Sequence, residues 1–142
     1  MKIAIDRIGK IFIADNQNFR IRKVAIATGI ITTFAGTGLP RRSGDNGPAI
    51  AANIEEPRGI AVDAAGNVFI GTTNNQVRRI DAVTGIITTV AGNGVWSFSG
   101  DGGSAAAAGL TAPEGIAFTP SGDLVISDSG NHRLRVVRGP VQ

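Results

Sequence analysis

Short runs rich in valine, isoleucine and threonine alternate with turn-forming residues along this chain. In the middle of the sequence, four runs of three to five residues follow one another at 60–62, 68–70, 77–80 and 86–90. The segments between them contain Asp, Asn, Gly and Thr, and such residues favour tight turns. Brief β-branched runs bounded in this way indicate β-strands. The pattern therefore predicts four antiparallel strands joined by tight turns.

The same set of runs returns because the sequence contains an internal repeat. Thr-Gly-Ile-Ile-Thr-Thr-Phe-Ala-Gly at 28–36 recurs as Thr-Gly-Ile-Ile-Thr-Thr-Val-Ala-Gly at 84–92, with eight of nine residues identical and an offset of 56. Ser-Gly-Asp at 43–45 recurs with the same offset at 99–101. A repeat that forms four antiparallel strands is typical of β-propellers, in which each repeat is one blade.

We therefore predict an all-β fold in which residues 1–142 form a single half-propeller domain. The third repeat stops before its fourth run, so we expect the last blade to lack its outer strand. The predicted blades are blade 1 at about 2–56, blade 2 at about 57–112 and blade 3 at about 113–138.

The turn between the second and third strands carries a sequence signature. Residues 122–137 read Gly-Asp-Leu-Val-Ile-Ser-Asp-Ser-Gly-Asn-His-Arg-Leu-Arg-Val-Val. This segment resembles the NHL repeat, in which a Gly-Asn/Asp strand leads to an Asp and an Asn-His-Arg turn. The first unit carries part of the signature at 15–22, and the second is degenerate at 72–78. The long Ser-Gly-Asp-x-Gly connections are similar to those of NHL repeats in large bacterial and cell-surface proteins. The resemblance implies a propeller fold but no single activity.

Three blades are too few to close a ring by themselves. Propellers close with about four to eight blades, and the resemblance implies a six-bladed ring. An open row would expose the apolar faces of its first and last blades. Two chains related by a two-fold axis would supply six blades and cover both faces. We therefore predict a homodimer, with the outer strand of blade 3 missing or supplied by another segment. The alternative is a fragment whose other blades lie outside this sequence.

Positions that differ between the repeats are candidates for a binding site. Lys2, Arg58 and Glu114 are equivalent positions just before the first strand of each unit, yet they carry opposite charges. If the first strands line the propeller axis, these side chains form a polar, ligand-sized depression at one mouth of the channel. Trp96 and Phe98 are new aromatic residues in the second long connection, and they form either a contact surface or a packing contact with that connection.

Residues that recur at equivalent positions are interpreted as structural. Asp15 and Asp128, with Asn18, Asn75 and Asn131, are expected to hydrogen-bond the turn between the second and third strands. The single histidine, His132, lies in the same turn and is interpreted as a turn residue.

The long connections contain a second set of recurring residues. Asp45, followed by Pro48, is expected to cap a short helix, with Ile54 as its anchor onto the blade. Asp101 is expected to do the same in the next repeat. The recurring arginines of the third strands are expected to lie along the blade surface and to pair with carboxylates or backbone carbonyls: Arg22, Arg78 and Arg135.

Composition narrows the function further. The chain has no cysteine and one histidine, which excludes disulfides, thiol catalysis and a zinc site built from Cys or paired His. The net charge of +3 is too small to indicate nucleic-acid binding. No apolar stretch approaches the roughly 18 residues of a membrane span, and the first residues lack the apolar core of a secretory signal. The compartment is left open.

Two classes of function remain after these exclusions. The first is a non-catalytic interaction scaffold, with no cofactor, metal or catalytic residue, that binds a protein, peptide or saccharide at the rim or mouth. The alternative is an enzyme that resembles lactonase or lyase propellers, in which carboxylates and amides around the axis hold a divalent metal. The inner strands offer mainly Ile, Ala, Val and Gly, so the scaffold is preferred. A metal-content measurement separates the two.

Overall fold

The structure is a computed structural model, and it describes residues 1–139. The last three residues of the predicted domain, 140–142, lie outside that part. Regular structure within the described residues consists of β-strands and single 3-10 turns. The strands are β1 (Lys2–Ile5), β2 (Ile11–Asp15), β3 (Arg20–Ala25), β4 (Ile30–Ala35), β5 (Gly47–Pro48), β6 (Pro57–Val62), β7 (Val68–Thr72), β8 (Gln76–Ile80), β9 (Ile86–Ala91), β10 (Pro113–Phe118), β11 (Leu124–Asp128) and β12 (Arg133–Val137). The 3-10 turns are Asn16–Asn18, Ala49–Ala51, Ala105–Ala107 and Ser129–Asn131.

The strands form three antiparallel sheets, and each sheet is one blade. Blade 1 has the order β1-β2-β3-β4, and blade 2 has the order β5-β9-β8-β7-β6. Within residues 1–139, the sheet of blade 3 has three strands in the order β10-β11-β12. The predicted all-β class is confirmed. Among the described residues, no helix is long and apolar enough to cross a membrane.

Local turn chemistry explains where the strands end. In blade 2 the Asp63 carboxylate accepts the backbone N–H groups of Ala65 and Asn67, both at 2.9 Å. This arrangement closes the turn between β6 and β7, because an Asp side chain can replace a backbone acceptor in a tight turn. In blade 3, the turn between β11 and β12 ends at His132, whose φ of 55° is left-handed. That position agrees with the interpretation of His132 as a turn residue.

Two hydrophobic cores lie between adjacent blades rather than within one blade. In the core between blades 1 and 2, Phe12 of blade 1 is buried with Ile60 and Val68 of blade 2. Phe12 also packs edge-on against Phe34 of its own blade, with ring centroids 5.0 Å apart. Between blades 2 and 3, Phe69 packs in the same way against Phe118, with centroids 4.8 Å apart. Gly71 marks the closest approach, because a Cβ there would lie 2.1 Å from a backbone oxygen of blade 3. Each blade thus depends on its neighbour for burial.

The long connection after blade 1 crosses to the outer edge of blade 2 and becomes part of its sheet. Its strand β5 pairs with β9, with Gly47 opposite Ile87 and Pro48 opposite Ile86. A single 3-10 turn follows, and then Ile54 inserts into the core with 0% exposure. The predicted helix is therefore only one turn long, whereas the predicted anchoring role of Ile54 is confirmed.

Candidate binding surfaces

Lys2, Arg58 and Glu114 lie together at one end of the inner strands. Arg58 NH1 lies 2.7 Å from Glu114 Oε1, and Lys2 Nζ donates to the backbone oxygen of Glu114. Glu56 contributes a second carboxylate, 3.4 Å from Arg58 Nε. The structure therefore places the three repeat positions side by side, while their ligand-binding role stays a prediction.

These side chains line a shallow depression of about 230 Å³, together with Met1, Asn16 and Pro57. The hydrogen bond that Arg58 donates to the Glu114 carboxylate raises the pKa of Arg58 above its usual value, so this guanidinium stays charged. Because the Arg58 and Glu114 side chains are 42% and 40% exposed, water weakens their attraction. The depression presents N–H donors beside carboxylate oxygens, a combination that hydrogen-bonds uncharged polar groups such as amides and hydroxyls.

A buried arginine joins the long connection to blade 2. The Arg78 side chain is 1% exposed, and its NH2 lies 2.6 Å from Asp45 Oδ1. It also donates to the backbone oxygens of Asn53 and Ser43, at 3.0 and 3.1 Å. The prediction that Arg78 lies along the blade surface is wrong, because the connection covers it. The prediction that it pairs with a carboxylate and backbone carbonyls is confirmed.

Asp45 has a different role from the predicted helix cap. The residue before the 3-10 turn is Pro48, and no side chain caps that turn. Asp45 instead accepts hydrogen bonds from Thr89 Oγ1 at 2.6 Å and from Arg42 NH2 at 2.8 Å, besides those from Arg78. Burial alone would raise the pKa of Asp45, but the Thr89 hydroxyl and the Arg78 guanidinium outweigh it and lower the pKa below its usual value.

Arg78 and Asp45 form what we call the clamp, an arginine of the third strand paired with an aspartate of the long connection. Blade 3 repeats the clamp with a more exposed aspartate. Arg135 NH2 lies 2.6 Å from Asp101 Oδ1, and NH1 lies 3.2 Å from Asp128 Oδ2. Arg135 NH1 also donates to the backbone oxygen of Gly109 at 3.1 Å. However, the Asp101 side chain is 67% exposed, compared with 24% for Asp45. The predicted cap at Asp101 is wrong as well, since no side chain caps the 3-10 turn that follows.

Blade 1 has the equivalent arginine, Arg22, but no described long connection packs against it. Arg22 NH1 lies 3.9 Å from Asp15 Oδ2, which is too long for a hydrogen bond. Its buried Nε has no hydrogen-bond partner in the structure. Blade 1 therefore shows what this arginine looks like when no long connection is packed against it.

In blades 1 and 3, the Asp and Asn side chains of the turn between the second and third strands hydrogen-bond each other across that turn, as predicted. Asn18 Nδ2 donates to Asp15 Oδ1 at 2.9 Å, and Asn131 Nδ2 donates to Asp128 Oδ2 at 2.9 Å. Asn75 reaches further, because its Oδ1 accepts the backbone N–H of Ala112 at 3.1 Å. Asp128 and Asn75 thus each hold a backbone N–H of the connection that leads to blade 3.

The two aromatic residues of the second connection occupy different environments. Trp96 is 79% exposed, whereas Phe98 is 40% exposed. Phe98 lies beneath two guanidinium groups, with Arg133 3.7 Å and Arg135 4.9 Å from the ring centroid. The sequence left open whether Phe98 forms a contact surface or packs within the protein. Phe98 packs, but against two arginines of β12 and not against its own connection. Trp96 projects from the surface, and a partner for it stays a prediction.

Within residues 1–139, no three His, Cys, Asp or Glu side chains lie close enough together to hold a metal ion. Asp63 accepts turn N–H groups, and Asp45 accepts hydrogen bonds from a hydroxyl and two arginines.

Two family models match this chain. Residues 38–97 match the teneurin NHL domain, and residues 110–137 match the NHL repeat. Mouse Teneurin-1 is 37% identical over 102 residues, a match that covers 63% of this chain. The same match covers only 4% of the teneurin, so the chain spans a small part of that relative's length.

Solved structures share the arrangement of the three sheets. A structural genomics protein of unknown function from Bacteroides thetaiotaomicron superposes with a TM-score of 0.82 at 22% identity, covering 94% of this chain and 34% of that chain. A chain in the nidogen/laminin complex superposes with a TM-score of 0.66 at 23% identity, covering 95% of this chain and 42% of that chain.

An enzyme shares the fold too. Virginiamycin B lyase from Staphylococcus aureus superposes with a TM-score of 0.55 at 18% identity, covering 99% of this chain and 41% of the lyase. Identities this low show the fold and do not show an activity. The two family matches together span more than half of the sequence, and the superposed structures agree with them on the fold. The chain therefore belongs to the NHL-repeat β-propeller family.

Proposed function

We propose that this chain is a non-catalytic interaction scaffold, and that two copies complete a six-bladed ring through their open blades. One observation carries the proposal. Apolar positions that are buried in blade 2 are exposed at the equivalent places in blades 1 and 3. Because exposed apolar surface on this scale marks a site of association, the end blades are the surfaces that a partner covers.

The first open surface is the flank of blade 1, formed by Ile3, Ile5, Ile11, Ile13 and Ile31. Ile3 is 59% exposed, whereas its counterpart in blade 2 is 7% exposed. Ile31 is 48% exposed, and its counterpart is fully buried. Covering a large aliphatic side chain stabilises an assembly by about 1.5–3 kcal/mol, so this flank strongly favours a partner.

The second open surface is the flank of blade 3, formed by Ala117, Val125, Leu134 and Val136. Leu134 is 73% exposed and Val136 is 51% exposed. The counterpart of Leu134 in blade 2 is Val77, which is fully buried against blade 3. The two flanks are thus the two halves of one type of blade contact.

The chain already makes this contact twice, between blades 1 and 2 and between blades 2 and 3. A third contact, between the flank of blade 3 and the flank of blade 1 of a second copy, repeats the same geometry. A two-fold axis makes that contact twice and gives six blades, which lies within the range of about four to eight blades of known propellers. Each copy would bring one polar depression to the ring.

The polar depression and Trp96 are the surfaces that we assign to ligands. The depression between Lys2 and Glu114 has hydrogen-bonding groups that suit part of a peptide or a saccharide. Trp96, 79% exposed, has the character of an anchor for a protein partner. A protein-binding role is supported by the occurrence of this fold in a chain of the nidogen/laminin complex.

Light scattering on the purified chain tests the assembly. A dimer has twice the 14.6 kDa of one chain. Leu134→Glu is expected to give the single-chain mass, because it places a charge in the apolar contact. Val83→Glu is the matched control, since Val83 is 94% exposed in a turn and outside both flanks, and it is expected to leave the dimer intact. A folded wild-type chain of single mass at high concentration contradicts the proposal.

A further inference from the structure

A cleft of about 310 Å³ opens between blades 1 and 2, beside the turns that join the first and second strands of each blade. We call it the inter-blade cleft. Its lining consists of three strand residues of blade 1 and residues from turns of both blades: Phe12, Lys23, Phe34, the turn at 6–10, the turn at 63–66 and Ala82. The volume lies at the lower end of the range for small-molecule sites. The polar depression lies at the opposite end of the inner strands.

The floor of the inter-blade cleft is aromatic. Phe12 and Phe34 both line it, and their ring centroids lie 5.0 Å apart. Between blades 2 and 3, the ring equivalent to Phe12 is Phe69, and Phe118 of the next inner strand packs against it. The residue equivalent to Phe118 beside the cleft is Val62, which is smaller. Blade 2 therefore places no aromatic ring against the floor of the cleft, which leaves room there for a ligand.

Lys23 lies above this floor without a counter-ion. Its Nζ is 5.7 Å from the centroid of the Phe34 ring. The equivalent residue of blade 2, Arg79, pairs with Asp81 at 2.7 Å. In blade 1 the position of Asp81 is taken by Ala25, and within residues 1–139 Lys23 forms no ion pair. A partly buried charge is stabilised by a partner, and blade 1 lacks the carboxylate that the repeat supplies in blade 2.

Two further cations, Arg7 and Lys10, lie on the rim of the cleft and are exposed. The carboxylates of the lining are held in their own turns. Asp6 Oδ1 accepts the backbone N–H of Lys10 at 2.8 Å, and Asp63 Oδ1 accepts that of Ala65 at 2.9 Å. In the described part of the chain, neither carboxylate and neither rim cation forms an ion pair. The cationic donors are therefore available to an anionic ligand.

We propose that the inter-blade cleft binds a small aromatic carboxylate. The ring of the ligand packs on Phe12 and Phe34, and its carboxylate accepts hydrogen bonds from the Lys23 ammonium, with Lys10 as a second donor on the rim. The ligand thus supplies the counter-ion that an aspartate supplies in blade 2. Charge-assisted hydrogen bonds favour the carboxylate over a neutral amide, and the aromatic floor favours a ring over a short aliphatic acid.

This site is independent of the proposed ring and of the polar depression. Phe12 belongs to the core between blades 1 and 2, so the cleft is formed within one copy of the chain. The apolar flanks that a second copy covers are on the outer sides of blades 1 and 3. Ligand binding and ring assembly can consequently fail independently of each other.

The test titrates the 142-residue chain, labelled with nitrogen-15, with three compounds at pH 7 and follows the amide signals by NMR. Phenylacetate carries the ring and the charge, phenylacetamide keeps the ring without the charge, and acetate keeps the charge without the ring. Phenylacetate is expected to bind at least tenfold more tightly than either, since hydrogen bonds to charged groups contribute more than neutral ones. The signals of Lys10, Lys23 and Ala65 are expected to shift.

Protein variants identify the recognising charge. Ala25→Asp copies the aspartate of blade 2 and gives Lys23 a counter-ion within the chain, so phenylacetate is expected to bind about tenfold more weakly, while phenylacetamide is unaffected. Lys23→Met is a second variant with the same expectation. Arg41→Gln is the matched control, because it changes the net charge by the same amount as Ala25→Asp at an exposed position outside the cleft, and it is expected to keep the wild-type affinity.

A further variant fills the cleft. Val62→Phe copies Phe118 of blade 3 and places a third ring against Phe12, so it is expected to abolish binding of both phenyl compounds. Urea unfolding shows that the variants compared are folded.

Three outcomes overturn the proposal. The first is the absence of phenylacetate binding to the wild-type chain. The second is equal affinity for phenylacetate and phenylacetamide, which means that no cation recognises the carboxylate. The third is shifts confined to Arg58 and Glu114, or undiminished binding in folded Val62→Phe, either of which places the ligand outside the cleft. Selective binding that Ala25→Asp weakens and Arg41→Gln preserves supports the proposal.

Discussion

Arg78 and Asp45 are 33 positions apart in the sequence, and Asp45 Oδ1 accepts two hydrogen bonds from the Arg78 guanidinium, at 2.9 Å from Nε and 2.6 Å from NH2. The pair joins the connection that leaves blade 1 to the third strand of blade 2. Thr89 on the outer strand donates to the same carboxylate. Three segments of the chain therefore meet at one carboxylate, which makes the connection a structural part of the next blade.

Replacing Asp45 by asparagine is expected to lower the free energy of unfolding by about 3 kcal/mol, because the buried Arg78 charge loses its counter-ion. Urea unfolding measures this loss. Asp101→Asn is the matched control in the equivalent position of blade 3. Its side chain is 67% exposed, so the expected loss is below about 1 kcal/mol. Equal losses in the two variants would contradict the structural role of burial at Asp45.

The lowered pKa of Asp45 predicts a loss of stability in acid. The folded chain holds this carboxylate ionised at pH values where the unfolded chain, with its ordinary value of 3.8, takes up a proton. The contribution of Asp45 to stability is therefore complete above the unfolded pKa and disappears as the pH falls through the lower, folded pKa. Urea unfolding between pH 7 and pH 2 is expected to show a smaller decline below pH 4 for Asp45→Asn than for the wild type. Identical declines would assign the acid sensitivity to other groups.

The strands and the polar depression could be predicted from the sequence, because they follow from the short β-branched runs and from the internal repeat. The run at 86–90 corresponds to β9 at Ile86–Ala91. Lys2, Arg58 and Glu114 occupy the same position in the three repeats. Because the inner strands converge, the equivalent residues of the three repeats lie close together. The role of Asp45 was not predicted. Its immediate context resembles a helix cap, whereas its partners are 33 and 44 positions away.

A signal for the clamp was nevertheless present in the sequence. Asp45 and Asp101 recur with Arg78 and Arg135 at nearly the same offset, which would have suggested pairing between the two sets. The packing of Phe98 against two arginines was harder to predict from the sequence. Its contact with Arg133 joins the connection to β12 across blade 3, and this contact has no equivalent in the other repeats from which to infer it.

The ion pair between Arg58 and Glu114 is expected to contribute little to stability. Both side chains are about two-fifths exposed, and pairs of this kind typically contribute less than about 1 kcal/mol. A double-mutant cycle with Arg58→Gln and Glu114→Gln in urea unfolding measures the coupling. A coupling above about 2 kcal/mol would mean that the pair is a structural joint like that of Arg78 and Asp45, and it would weaken the assignment of the depression to a ligand.

Equivalent arginines in blades 1 and 2 provide the sharpest test of what the long connection contributes. Arg78→Met removes every hydrogen bond between the guanidinium and the connection and leaves Asp45 without its main partner, so a loss of about 3 kcal/mol is expected. Arg22→Met removes a side chain whose buried Nε has no partner and whose nearest carboxylate lies 3.9 Å away. Replacing an unpaired polar atom by an apolar chain of similar length is expected to change the unfolding free energy by less than about 0.5 kcal/mol, or to raise it. Urea unfolding of both variants at one protein concentration compares them directly. A large loss in Arg22→Met would show that the third-strand arginine stabilises a blade by itself, without a connection packed over it.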